Sequence, residues 1–220
     1  MNDDSRRQTT RRQYVKSIGA VGAASTVGLA GCSGDAAAAT GTLATQVTDQ
    51  PGDIADFESC IVTIEGIWLK PTEGTETESA TMTDGEDGVD EQDEGDVDES
   101  DAREYHEFDE AQEADLVQLQ DGNTDLIDER DVATGGYEFL QLDVSDVAGT
   151  LADGGEAEVD TPGNAPLQFK RQFEVREGQR TTFTGDFTPV KRGQTNRYLL
   201  QPVASGTEVS YEDVETTTEG

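Results

Sequence analysis

The sequence has little of what most enzymes use. One histidine, His106, and two cysteines, Cys32 and Cys60, occur in 220 residues. Histidine-based metal centres need more than one ring, and a nucleophilic triad needs its histidine beside a placed nucleophile, whereas His106 adjoins an acidic run. The two cysteines form no zinc spacing and no disulfide framework. No Gly-rich phosphate loop is present; the glycines punctuate turns. No apolar run approaches the ~20 residues of a spanning helix. Lysine is scarce, at positions 16, 70, 170 and 191 only, and 15 basic residues stand against 48 acidic ones, for a net charge of −33. Such a chain offers no basic patch for nucleic acid phosphates and no charge-driven docking on anionic lipid. No catalytic residue, metal or cofactor is expected, and the chain reads as non-enzymatic.

The acid excess continues through Asp125, Asp128, Glu129, Asp131, Asp143 and Asp146, outside the densest run. With few lysines and many Thr, Gly and Ala, it resembles the surfaces of proteins from salt-loving organisms, of haloarchaeal type. Crowded carboxylates oppose the compact state in dilute buffer. At molar salt the Debye length shrinks to ~3 Å and neighbouring carboxylates barely repel.

The N-terminus reads as an address. Thr10-Arg11-Arg12-Gln13-Tyr14-Val15-Lys16 follows the twin-arginine pattern, with Arg11 and Arg12 as the export signal. A short, mild apolar run from Ser17 to Gly28 suits a signal-peptide core. It ends at Leu29-Ala30-Gly31-Cys32, which resembles a lipobox. Small residues let the chain enter a peptidase cleft extended, and the Cys32 thiol is the side chain able to form a thioether with diacylglycerol. Residues 1–31 are expected to be the signal peptide and 32–40 a flexible tether. The expected location is the outer face of the cell membrane, reached through the twin-arginine translocase and held there by lipid.

Residues 72–102 are nearly free of large apolar side chains and should form a disordered acidic insert, unable to offset its own ordering entropy. Asp96, Asp98, Ser100 and Glu107 fall at positions 1, 3, 5 and 12 of a calcium-loop spacing, but Asp101 stands where that loop needs glycine. Diffuse cation binding is the expectation there.

The remaining segments are short, β-branched and aromatic, separated by Gly, Pro and Asp clusters, as in all-β domains. In 42–48, Leu43 and Val47 share a side. In 59–69, Cys60, Val62 and Ile64 share one face; the phase then slips at Glu65-Gly66, and a glycine at a phase slip suggests a bulge. Further strands are expected at 115–119, from Gly136 with Leu140, Leu142 and Val144 on one face, at 157–159 and at 167–169. Phe173-Glu174-Val175 should turn at Glu177-Gly178 and return through Thr181-Thr182-Phe183. Residues 198–203 close the domain. The one helical hint is 124–131. Seven or eight strands in one domain point to a single β-sandwich. Trp68 and Tyr198 are candidate stacking surfaces but read as core. Asp49 and Asp53 bracket a Pro-Gly turn; ordinary turn chemistry accounts for them, and a ligand or calcium role at this loop is the alternative.

The order of these motifs carries a resemblance. Gly41-Thr42-Leu43, Thr48-Asp49-x-Pro51-Gly52-Asp53, Val62-Thr63-Ile64, Leu69-Lys70-Pro71 and later Gly136-Tyr137, Gly185-Asp186-Phe187 and Tyr198-x-Leu200-x-Pro202-Val203 together resemble the family labelled DUF4382. The resemblance covers about 41–204, interrupted by the insert, and leaves 205–220 as an acidic tail. It implies an exported lipoprotein with a transthyretin-like or carbohydrate-binding-like sandwich, and it supplies no catalytic residues. The expected function is binding or scaffolding of an extracellular ligand, a carbohydrate or envelope polymer by fold analogy. The alternative is a purely structural envelope protein without a small ligand, and an enzyme is the least supported reading.

Folding should depend on salt. At 0.01 M the Debye length of ~30 Å spans a small domain, and marginal stability of ~5–15 kcal/mol leaves little to oppose the repulsion. Circular dichroism across a KCl series should record loss of native β structure at low salt and its recovery on restoring KCl. An unchanged melting temperature from millimolar to molar KCl would contradict salt adaptation.

Overall fold

The computed structural model describes residues 39–49, 52–72, 95 and 97–214. The all-β expectation holds. Among the described residues, eleven strands form one large mixed sheet, nearly closed into a barrel. In chain order they are β1 (Thr40–Thr48), β2 (Phe57–Pro71), β3 (Glu104–Asp115), β4 (Asp125–Ala133), β5 (Gly135–Leu151), β6 (Glu156–Asp160), β7 (Leu167–Phe169), β8 (Phe173–Val175), β9 (Gln179–Lys191), β10 (Arg197–Pro202) and β11 (Glu208–Asp213). The path runs β3-β2-β5-β6-β10-β9-β1-β4, with β7 and β8 paired to β5 and β11 paired to β9.

Strand β9 joins the two faces. Its first half runs parallel to β1, from Thr42 opposite Arg180 to Thr48 opposite Asp186. Its second half runs antiparallel to β10, from Phe187 opposite Pro202 to Lys191 opposite Tyr198. The two layers expected of a sandwich are therefore continuous through one strand. Phe183 and Phe187 lie on its inward face, two pleats apart. Between them Gly185 lies beneath the Phe169 ring: a Cβ there would come within 2.9 Å of it. The short strands β7 and β8 pin Phe169 and Phe173 into the same core. Tyr137 stacks on Phe173 at 5.1 Å, Phe173 meets Phe183 at 5.1 Å, and Phe169 meets Phe183 at 6.1 Å and Phe187 at 6.2 Å. These aromatic pairs bind β5, β7, β8 and β9 into one apolar spine.

Several local readings hold. Leu43 and Val47 are fully buried, as are Cys60, Val62, Ile64, Leu140 and Leu142. The phase slip in β2 is a bulge: its register with both β3 and β5 breaks between Ile64 and Gly66, which turns Ile67 and Leu69 inward. A Cβ at Gly66 would sit 2.8 Å from the His106 carbonyl oxygen.

Other readings need correction. The helical hint at 124–131 is strand β4, because antiparallel pairing with β1 outweighs local propensity. The strand expected at 115–119 starts eleven residues earlier, as β3; residues Leu116–Gln118 form a 3-10 turn whose cap is the Asp115 carboxylate. The turn after β8 exists, with Gly178 at φ 71°, but it is no hairpin. Strand β8 pairs with β5, so the chain arches across the core before entering β9. The supposed tail contributes β11, which pairs with β9 from Glu208 opposite Thr184 to Asp213 opposite Gln179.

The acidic insert is also shorter than 72–102 at its C-terminal end. Residues 73–94 and 96 lie outside the described residues, but Val97 is buried and Asp98 is anchored on the outer face of the sheet. Lys70 pairs with the Asp98 carboxylate. The Asp98 N–H donates to Gln168 Oε1, and Gln141 Nε2 donates to the Asp98 carbonyl, each at 2.8 Å. Arg103 Nη1 then donates to Gln141 Oε1 at 2.8 Å. Gln141 is fully buried under this clamp.

Deleting residues 79–90, half of the connection between Thr72 and Val97, should therefore change stability by less than ~1 kcal/mol, because loop closure costs only ~0.6 kcal/mol per doubling of length. Gln141→Leu should cost ~1–3 kcal/mol by leaving the partners of its amide unpaired. Chemical denaturation in molar KCl measures both. A deletion more damaging than Gln141→Leu would contradict this assignment of the segment's two ends.

Candidate functional site

The Asp49 loop lies against the outward side of β9. Thr48 ends β1 opposite Asp186, so Asp49 leaves the sheet beside the segment Asp186-Phe187-Thr188. Alternation turns Asp186 and Thr188 away from the Phe183–Phe187 side, yet neither reaches solvent: Asp186 is 0% and Thr188 1% exposed. Two turns cover them. Gly52 lies on Thr188 so closely that a Cβ would stand 2.6 Å from its Oγ1. On the other flank the Val203 N–H donates to the Asp186 carbonyl at 2.7 Å, and the Thr207 hydroxyl donates to the Val203 carbonyl at 2.9 Å.

Asp49 is itself 2% exposed, and the side-chain hydroxyl that its carboxylate meets is that of Thr188. Burial pushes its pKa from the ordinary 3.8 to about 7; the neighbouring Thr188 hydroxyl opposes this, and the like charge of Asp186 reinforces it. The sequence paired Asp49 with Asp53; the fold separates their roles. Asp53 Oδ2 accepts from the Lys191 N–H at 2.7 Å and staples the turn to the end of β9. Asp56 completes that staple by accepting from Lys191 Nζ at 2.7 Å and from the Tyr198 hydroxyl at 2.8 Å. Asp49 faces Asp186 instead, 137 positions along the chain. The sequence signal for Asp186 was its place as the one charged residue between Thr181 and Val190.

Cys60 lies in the same region. It is fully buried, and burial together with the charges of Asp49 and Asp115 pushes its thiol up to about 12, which suits a packing role and not a nucleophile. His106 is half-buried on β3, and its pKa is lowered by burial and by Arg130. Among the described residues no group of three or more His, Cys, Asp or Glu side chains is placed to hold a metal. The calcium-loop spacing is not a loop: Asp98 is engaged by Lys70, and Glu107 lies in β3.

Two surface features remain. Tyr198 is core, but Trp68 lies on the outer face of β2, with Tyr105 opposite it on β3 at a ring distance of 4.5 Å. Arg103 stands 4.4 Å over the Trp68 ring, and the Tyr105 hydroxyl donates to Asp143 Oδ2 at 2.8 Å. Tyr105 is 38% exposed. Separately, β3 and β4, the two ends of the sheet path, approach each other along a carboxylate-lined groove. Arg130 bridges it by donating from Nη2 to the Glu107 carbonyl at 3.3 Å. Arg11, Arg12, Leu29, Ala30, Gly31 and Cys32 lie outside the described residues.

The fold and these sites define a single-sheet, nearly closed β module with a buried acidic pair and an exposed aromatic ledge. The profile of the family described as a domain of unknown function, DUF4382, matches residues 40–202, and the chain belongs to that family. The match begins with β1 and ends with β10, so β11 lies beyond it. No curated protein and no solved structure matches the chain.

Asp49 should make stability depend on pH. Its pKa is raised in the folded state, so the folded chain holds this proton more tightly than the unfolded one. Its effect is absent below about pH 4, and stability falls as pH rises from about 4 to 7. In chelator-containing molar KCl, the difference between wild type and Asp49→Asn should grow by up to ~1.4 kcal/mol per pH unit across that window. Parallel stability curves would contradict the raised pKa.

Proposed function

We propose that this chain is an exported, lipid-anchored protein of the outer cell face, and that its β module is a non-enzymatic binding domain for a carbohydrate or envelope polymer. The observation that carries the binding reading is the ledge of Tyr105 and Trp68, rimmed by Asp143 and Arg103. The partly exposed Tyr105 ring, with a carboxylate and a guanidinium beside it, suits a sugar, whose C–H face packs on the ring while its hydroxyls meet charged groups. The address rests on Arg11-Arg12 and on Leu29-Ala30-Gly31-Cys32, with the twin-arginine translocase as the export partner. The described β module begins eight residues after Cys32, a short tether that would hold it near the membrane surface. An enzyme is disfavoured because Cys60 and His106, the two side chains best suited to nucleophilic or proton-transfer chemistry, are buried or half-buried.

A single experiment tests address and ledge together. Cys32→Ser should move the protein from the membrane fraction to the medium, because the lipid supplies the anchoring energy at ~0.8 kcal/mol per buried methylene. The released protein, applied to a glycan array in molar KCl, should bind saturably, and Tyr105→Ala should weaken that binding at least ~10-fold, about 1.4 kcal/mol. Retention in salt-washed membranes would contradict the anchor. Absence of binding on every glycan would favour the purely structural reading.

A further inference from the structure

On the outer face of the sheet the pairing register sets a carboxylate on each side of a glycine. Gly66 of β2 lies opposite Asp143 of β5 and opposite Glu107 of β3. Residues paired in this way share a face. Tyr105 lies across the glycine: a Cβ at Gly66 would stand 2.8 Å from the ring carbon Cε2 and from the hydroxyl. One side of the ring is thereby laid on the strand, while the ring as a whole stays 38% exposed. Its hydroxyl is held by Asp143 Oδ2 at 2.8 Å. Burial pushes the pKa of that hydroxyl up, and the hydrogen bond to Asp143 and the negative charges of Glu107 and Glu65 push it further.

Elsewhere the chain itself shows what such a ring takes. Arg103 stands 4.4 Å over Trp68. Arg176 stands 4.7 Å over Tyr211, which is 40% exposed. A cation over an aromatic face is attracted by the quadrupole of the ring. Among the described residues no Lys or Arg lies over Tyr105. Arg103 is turned to Trp68 and donates to the Ser100 carbonyl and to Gln141. A neutral sugar on Tyr105 would leave the flanking carboxylates without an opposite charge. A sugar carrying a protonated amine meets both the ring and the acids.

We propose that the sugar taken by the ledge is an amino sugar with a free amine, so that the polymer bound is a cationic glycan of the glucosamine class. Its C–H face packs on Tyr105, and its ammonium is held by Glu107 and Asp143. The inference rests on the ledge reading and narrows its ligand. A cationic peptide would bring charge without a flat C–H face, and charge alone is screened at molar salt.

The test is calorimetric titration of the full chain in molar KCl at about pH 6, where a free amine keeps its proton. The probes are a glucosamine hexamer, the same hexamer fully N-acetylated, and hexalysine. The glucosamine hexamer should bind at least ~10-fold more tightly than its acetylated counterpart, and Tyr105→Ala should weaken it at least ~10-fold. Glu107→Gln, at an exposed position, should keep the wild-type melting temperature and lose most of the preference for the free amine. Equal binding of the two hexamers, lost in Tyr105→Ala, would overturn the amine and leave the ledge a site for neutral sugars. A preference that survives Glu107→Gln would overturn it by assigning the effect to the bulk of the acetyl group. Hexalysine binding as tightly as the glucosamine hexamer would overturn it by reducing the effect to surface charge. No binding of the glucosamine hexamer would overturn it too, and the glycan array then judges the ledge separately.

Discussion

Strand β9 belongs to both halves of the sheet at once, and the rest of the structure is arranged around that constraint. Its first half hydrogen-bonds to β1 and β11 and its second half to β10. A strand with partners along both edges must fill both faces as well. Phe183 and Phe187 fill the inward side and anchor the aromatic spine through Phe169 and Phe173. The outward side carries Asp186 and Thr188, and residues 52–56 and 203–207 close over them. Among the described residues, the buried acidic pair therefore sits where the strand changes partners.

The charge distribution follows the same logic. Carboxylates crowd the exposed positions, where salt screens them. The few basic side chains fasten connections instead of forming a patch. Lys191 holds the turn after β1, Lys70 holds the re-entry of the acidic segment at Asp98, and Arg180 reaches from β9 to Glu129 on β4. Exposed pairs of this kind add little energy individually. Their contribution here is to fix which segment lies over which strand.

Much of this was legible in the residues. Leu43 and Val47, the inward run Cys60-Val62-Ile64, and the bulge at Gly66 all follow from period-two alternation and its interruption. Strand β4 was not legible because its register breaks opposite Thr45 and Gln46: Asp128 and Leu126 pair there, and Ile127 between them is turned inward. The extra residue erases the alternation, leaving a pattern that reads as a helical turn. Strand β3 was hidden for a different reason. Its inward residues are few, Phe108 and Ala114 among them, and its outward ones are acidic, so its composition blends with the insert. Asp49 was visible beside a Pro-Gly turn, but its partner was not. Asp186 comes near it only through the parallel pairing of β1 with β9, a contact with no local signature.

Hydrogen exchange along β9 tests this account most directly. Amides of residues 181–188 that are bonded within the sheet should be among the slowest to exchange in molar KCl, close to the global unfolding limit, while those of β3 and β4 at the ends of the path exchange faster. Exchange of β9 as fast as that of β3 would contradict its role as the strand on which both halves of the sheet depend.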